Sequence, residues 1–450
     1  MRGRARWGLA AVLCVALLCA PALWNGFPLL QYDTGGYLVR WYEGYLVPSR
    51  AVLYGLFLNA GQWWNFWPVV VVQAVLTTWV VALTLRVHGF RHPLILLGTI
   101  AALSAFTTLP WLTAILLTDV FCGLGVLGLY LLIARGAELN RAERIGLIIL
   151  VAAAGATHSA TLAVLIAMLF AGGLWHISNR NRIALTRLRD GLVALIFAVL
   201  LVFATNYAMS GRLAWTPGGL SLAFGRMLQD GIVDRYLGDH CPDEKLKLCP
   251  YRTELPRNAD AWFWGNPAFI KLGRFAGLGD EMGKIALESL REYPGMQAQA
   301  AAKAFARQLI NVRSGEGVNN DIWHTYAIIK RHTPWAVPQM QAARQQAAPL
   351  GFPAINELHH PLALLALIML PLLLTMRGES WNRIRELAGM MMIAVLANAA
   401  FCGILSNPHD RYGARIIWLV SFTVAIAALQ FAVERKTAPR RLDPYAPPVR

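Results

Sequence analysis

Residues 66–86 read FWPVVVVQAVLTTWVVALTLR, an apolar run with no charge before Arg86. As a helix rising 1.5 Å per residue, a run of this length crosses the ~30 Å hydrocarbon core of a bilayer. Trp63, Trp64 and Trp67 stand at its entry, where interfacial aromatic belts occur, and Arg86 closes its far end. Comparable apolar blocks recur outward from it, near 7–24, 93–108, 112–134, 145–156, 159–176, 191–209, 361–376, 386–405 and 415–433. Together they predict about ten transmembrane helices and an all-α polytopic membrane protein. The fifth and sixth spans read as a pair of short or broken helices, because Gly155-Ala156-Thr157-His158-Ser159 interrupts a stretch too short for two ordinary spans and too long for one.

Composition agrees. The 450 residues are 56% hydrophobic and only 15% charged, with a mean hydropathy of +0.45; soluble chains run at about 25% charged. Disorder, collagen-like repeats and small disulfide scaffolds are excluded. The net charge of +16 would point to nucleic acid in a soluble chain. Here the excess sits in short tracts between apolar blocks: Arg2, Arg4 and Arg6, then Arg86 and Arg91, then Arg135, Arg141 and Arg144, then Arg180, Arg182, Arg187 and Arg189. Arg377, Arg383 and Arg385, then Arg435, Lys436, Arg440 and Arg441, complete the series. Every second loop carries one, the positive-inside pattern, which predicts cytoplasmic termini and no nucleic-acid partner. The N-terminal Arg residues and apolar run also fit a signal peptide; the topology closes only if that run stays as the first span. Arg-for-Lys bias and abundant Ala point to a GC-rich bacterial genome, hence an inner (plasma) membrane with periplasmic loops.

Four divisions follow: an N-terminal transmembrane module, 1–209, with a first periplasmic loop, 25–65, expected to hold interfacial helices; a larger, mostly helical periplasmic segment, 210–360, with an amphipathic helix over Ala298–Ile310; transmembrane helices over 361–433; and a cytoplasmic tail, 434–450. No internal repeat is evident. Cys14, Cys19, Cys122 and Cys402 lie inside apolar blocks. Cys241 and Cys249 flank a polar loop on the oxidising side, which favours a disulfide; a zinc site there needs two further ligands that the spacing does not announce. His359-His360 is weak evidence for a metal. The chain has no Walker glycine loop, Gly-x-Ser-x-Gly elbow, His-Glu-x-x-His or dinucleotide fingerprint, which disfavours ATP-driven transport and nicotinamide chemistry.

Ionisable residues in or beside spans are costly and mark function. Four places qualify, and the predicted topology puts them all on the non-cytoplasmic face. Asp33, in Gln31-Tyr32-Asp33-Thr34-Gly35-Gly36-Tyr37, either meets a lipid-borne substrate or caps a helix beginning at Thr34. Asp119, one or two turns into the fourth span, is either a second acidic site residue or an Arg partner within the bundle. His158, in the interrupted stretch, reads more readily as packing than as a catalyst. Ser406-Asn407-Pro408-His409-Asp410-Arg411-Tyr412-Gly413-Ala414-Arg415 puts two arginines on the side where topology needs none; they either fork onto phosphate oxygens or snorkel to lipid phosphates.

In this order, these positions resemble the GT-C superfamily of polytopic glycosyltransferases. Tyr32-Asp33-Thr34-Gly35-Gly36-Tyr37 looks like the family's acidic first-loop motif, and the Pro48–Phe57 segment with Arg50 is similar to the one that follows it. Gln73, Asp119 and Arg411-Tyr412 also fall in the family's order, the last before the final span. The resemblance covers mainly 1–210, the last loop and the last span. It implies transfer of a sugar (hexosyl or pentosyl) from a polyprenyl-phosphate donor to a glycan or lipid acceptor of the cell envelope, among membrane lipids and without cofactor or metal. Asp33 would be the general base, with Asp119 a second catalytic carboxylate. Arg411, Arg415 and Arg50 would bind the donor phosphate, and Tyr37, Tyr412, His158 and His409 would bind substrate. An O-antigen-ligase-like glycan transferase shares this topology; a transporter or flippase for a lipid-linked or small solute, the remaining alternative, predicts polar residues near the midplane.

Overall fold

The computed structural model describes residues 2–43, 50–178, 185–216 and 219–437. Pro48, Ser49, Arg180, Arg182 and the tail beyond 437 lie outside the described residues, as do the side chains of Trp41 and Tyr42. Among the described residues the chain is helical without strands; an isolated bridge pairs Leu29 with Ile115.

The N-terminal module holds α1 (Arg2–Asn25), α2 (Tyr32–Glu43), α3 (Val52–Gly61), α4 (Trp67–Val87), α5 (Pro93–Phe106), α6 (Leu109–Ala114), α7 (Asp119–Arg135), α8 (Arg141–Thr157), α9 (Ser159–Ser178) and α10 (Leu185–Ser210). The outer segment holds α11 (Gly219–Gln229), α12 (Ile232–His240), α13 (Ala259–Phe263), α14 (Pro267–Lys271), α15 (Arg274–Glu292), α16 (Pro294–Ile310), α17 (Trp323–His332), α18 (Val337–Gln341) and α19 (Arg344–Ala347). The chain finishes with α20 (Phe352–Leu374), α21 (Asn382–Asn398), which runs on into a π-helical turn over Ala399–Ile404, and α22 (Asp410–Thr437).

Among the described residues, eight helices are long and apolar enough to cross a membrane: α1, α4, α7, α9, α10, α20, α21 with its π turn, and α22. Their outward faces carry exposed Leu9, Val12, Phe170, Leu192, Ile368 and Phe431, a surface suited to lipid rather than water. The other two expected spans fall on shorter helices. Residues 93–108 give a helix of 14 residues, about 21 Å long at 1.5 Å per residue. Residues 145–156 lie in α8, whose first turn holds Arg141, Glu143 and Arg144 under an Asn140–Glu143 capping box. The break between α8 and α9 falls at His158, in extended conformation.

The expected fourth span, 112–134, is not one helix. Leu109–Ala114 turns separately, the chain crosses residues 115–118 without helix, and α7 starts at Asp119, so Asp119 opens that helix instead of lying inside it. The irregular backbone is satisfied. Leu29 N–H donates to Ala114 O and Leu116 N–H to Leu29 O, while Gln73 Nε2 reaches the Thr113 and Ile115 carbonyls at 2.9 and 3.1 Å. Non-helical backbone at membrane depth survives only with such internal partners. From there α7 runs through the centre of the bundle with nearly every side chain buried.

The outer segment divides between two cores. Phe224, Tyr236, Trp262, Phe269 and Met282 build a small one of their own, with Cys241 and Cys249 packed on it at a disulfide distance of 2.06 Å. Val312, Ile322, Ile329 and Met340 belong to the large bundle core.

Candidate functional site

The site lies where α1 ends and α7, α9 and α22 begin. The opening turn of α2 is fixed by its neighbours. Gln31 Oε1 accepts the Asp33 N–H at 2.7 Å, so Gln31 caps the helix and the Asp33 carboxylate is left for other partners. Thr34 Oγ1 donates to Leu116 O at 2.9 Å, which ties α2 to the linker ahead of α7. Thr325 of α17 accepts the Gly35 N–H at 3.1 Å and lies 2.8 Å from Gln31 O. Gly35 permits this approach, since a Cβ there would sit 2.8 Å from the Thr325 Cα.

Three charges converge on that turn. Arg50 Nη2 pairs with Asp33 Oδ1. Arg411, from the first turn of α22, donates Nη1 to Asp33 Oδ2 at 2.6 Å and Nε to Asp119 Oδ2 at 2.7 Å. One guanidinium therefore joins the carboxylates of the first loop and the central helix. Burial opposes ionisation of Asp33, but the fields and hydrogen bonds of Arg50 and Arg411 outweigh it and bring its pKa down to about 2. Asp119 is 1% exposed, and its Oδ1 is buried without a hydrogen-bond partner. Its place at the α7 N-terminus adds the favourable end of that helix dipole.

Behind this layer lies the second arginine. Arg415 is fully buried, donates Nε and Nη2 to Asn398 Oδ1 at 3.1 and 2.8 Å, and has Nη1 3.4 Å from His158 Nδ1. It does not snorkel. Asn398 sits where α21 enters its π turn and also donates to Tyr412 O. The Tyr412 ring lies between the guanidinium groups of Arg411 and Arg415, at 5.6 and 5.5 Å. Tyr37 is fully buried, its hydroxyl 3.4 Å from Thr118 Oγ1.

Glu316 holds the loop before α22. Its Oε2 accepts the Arg411 N–H at 2.7 Å, and its Oε1 lies 2.7 Å from His409 Nδ1. Burial lowers the His409 pKa, yet the Glu316 carboxylate raises it further. Gly413 allows the chain at 311–312 to lie against α22, since its Cβ would be 1.9 Å from Asn311 O.

The structure thus gathers Asp33, Asp119, Arg50, Arg411, Arg415, Tyr37, Tyr412, His158 and His409 at one end of the bundle. Cys241 and Cys249 stand apart in the small outer core, and His359 bonds Ser314 Oγ and Ala105 O as a packing residue. Asn398, Glu316 and Thr325 were missed by the sequence reading. An Asn inside the apolar block 386–405 and an acid between two glycines, Gly315 and Gly317, were the available signals. Among the described residues no group of three or more His, Cys, Asp or Glu could hold a metal ion.

Fold and site together define a multi-pass, all-α membrane protein with a buried, charged cluster where one set of helices ends. The chain matches no protein-family model, no curated protein and no solved structure.

Proposed function

We propose that the protein is an inverting membrane glycosyltransferase of the GT-C type, moving a sugar from a polyprenyl-phosphate donor to a periplasmic or lipid-linked acceptor in a bacterial inner membrane, with both termini cytoplasmic. The observation that carries this reading is the Asp33–Arg411–Asp119 cluster, two carboxylates sharing one arginine fork beside a second arginine.

In the reaction, the acceptor hydroxyl oxygen attacks the anomeric carbon as the bond from that carbon to the phosphate oxygen breaks. The hydroxyl proton passes to Asp33, and the leaving phosphate takes the electron pair. Arg411 and Arg50 stabilise the growing phosphate charge, and the free Asp119 oxygen accepts a hydrogen bond from the acceptor. Asp33 clamped at a pKa of about 2 is a weak base. The donor phosphate relieves this by competing for the same two arginines, so donor binding and base activation are one event. Arg415, buried behind Tyr412, positions that ring and the α22 turn and does not touch phosphate.

The test is transfer of radiolabelled sugar from polyprenyl-phosphate donors by purified protein, with Asp33→Asn beside wild type. Transfer lost with donor binding retained supports the base assignment. Full transfer by Asp33→Asn overturns it.

A further inference from the structure

At the opposite end of the bundle, where α7 stops and α10 and α21 start, lies a cavity of about 360 Å³ lined by Arg135, Glu138, Arg187, Asn382 and Glu386. Small-molecule sites begin at about 300 Å³. The groups around it are unevenly occupied. Arg135, nearly buried, bonds Tyr130 Oη at 3.2 Å and Glu386 Oε2 at 2.5 Å, with Glu138 Oε1 at 3.8 Å. Arg187 makes one contact, to Ala134 O at 3.5 Å, and has no carboxylate partner among the described residues. Asn382 Oδ1 accepts from Arg385 Nη2, and its amide donors have no partner among the described residues. Among the described residues Glu386 Oε1 has no partner, and the Glu138 carboxylate meets arginines only at 3.3 Å and beyond.

The cavity therefore offers unused donors on one wall, from Arg187 and Asn382, and carboxylate oxygens on the other. A purely anionic ligand would meet Glu138 and Glu386, and a cation would meet Arg135 and Arg187. A group with a phosphate and an ammonium satisfies both walls. The surroundings supply such a group: α10, which carries Arg187, exposes Leu185 and Leu192, an apolar surface suited to lipid, and this end carries basic tracts. Basic pockets between spans bind the phosphates of lipid head groups, and here the carboxylates beside the arginines add a place for a cationic group.

We propose that this cavity binds the head group of a zwitterionic phospholipid, its phosphate on Arg187 and Asn382 and its ammonium on Glu386 and Glu138. The site is separate from the sugar-transfer cluster and does not depend on the reading of that cluster.

The experiment is thermal unfolding of the purified full chain in detergent, titrated with short-chain phosphatidylethanolamine, with phosphatidylglycerol of the same chains, and with soluble phosphoethanolamine. Phosphatidylethanolamine should raise the melting temperature saturably, with the half-saturation weakened about tenfold in Arg187→Gln. Asn382→Ala serves if that variant does not fold, and should weaken it in the same direction by less. Equal stabilisation by phosphatidylglycerol overturns the ammonium half of the site, and equal stabilisation by phosphoethanolamine overturns the lipid source. Unchanged affinity in both variants overturns the site.

Discussion

The two ends of α7 carry the same chemistry in different states. At its start, Asp119 is sealed in the bundle, shares Arg411 with Asp33, and keeps one carboxylate oxygen unpaired. Around its far end the charges spread into separate links: Arg135 to Glu386, Arg86 bidentate to Glu143 at 2.6 and 2.8 Å, and Arg144 to Asp190. Each of those links joins two helices and keeps some contact with solvent. A buried acceptor left without a partner costs about 1–3 kcal/mol, so the free Asp119 oxygen is a cost that the far-end links do not carry. The difference teaches that the Asp119 end is a sealed cluster in which one guanidinium ties two carboxylates together, while the far end is a set of separate links that anchor helix to helix.

The largest effect that would break this comparison is removal of the shared arginine. Arg411→Ala leaves Asp119 charged and sealed, and should destabilise the protein by about 3–5 kcal/mol, the usual outcome for an orphaned buried charge. Arg86→Ala at the far end, with its guanidinium one-third exposed, should cost about 1 kcal/mol or less. Denaturation of the two variants side by side decides it, and equal losses would remove the contrast. Arg411→Lys sharpens it: one ammonium cannot repeat the fork to two carboxylates, so sugar transfer should fall far more than stability.

Next in size are the glycines that bring distant segments into the cluster. Gly413→Ala places a methyl 1.9 Å from Asn311 O, and Gly35→Ala one 2.8 Å from Thr325 Cα. Both should cost about 1–3 kcal/mol by forced displacement of backbone, with Gly413→Ala the worse because its overlap is deeper. Gly173, inside α9 with nothing within 4 Å of its Cβ position, is the control, and its Ala variant should melt at or slightly above wild type, since Ala is the better helix former.

Much of this was legible in the chain. Apolar length and basic tracts located the spans, and charge in the wrong place for topology singled out Arg411 and Arg415. The α6–α7 break was not legible, because Thr113–Thr118 is as apolar as a helix interior. Distant Gln73, Leu29 and Thr34, by taking its carbonyls and amides, make the break tolerable. Asp33 could be read from its motif but not its clamp, which needs Arg50, Arg411 and the Gln31 cap together in space. Glu316 and Thr325 were hidden for another reason: in a polar segment of mixed charge, one acid or one threonine carries no local signal.

The smallest effect concerns pH and separates Asp33, which holds the Arg411 side chain, from Glu316, which holds its backbone N–H. Asp33 has its folded pKa lowered from 3.8 to about 2, so its stabilisation is complete above about pH 4 and is lost as pH falls through about 2. Its clamp is therefore insensitive to pH in the neutral range. Glu316 and His409 behave differently. The carboxyl is lowered, with burial opposing and His409 prevailing, and the imidazole is raised, helped also by Asp260 and opposed by Arg411. His409 thus contributes stability that is complete below its ordinary value of 6.5 and lost as pH rises through the raised value. Glu316→Gln should flatten the alkaline limb of the melting profile and remove Glu316's own share of the acid limb, lost as pH falls below 4.5, while the Asp33 share of that limb stays in place. The pair is about one-third exposed, so solvent screening keeps the change small. Its direction still discriminates, because parallel profiles for wild type and variant would mean that Glu316 anchors the Arg411 backbone without holding charge on His409.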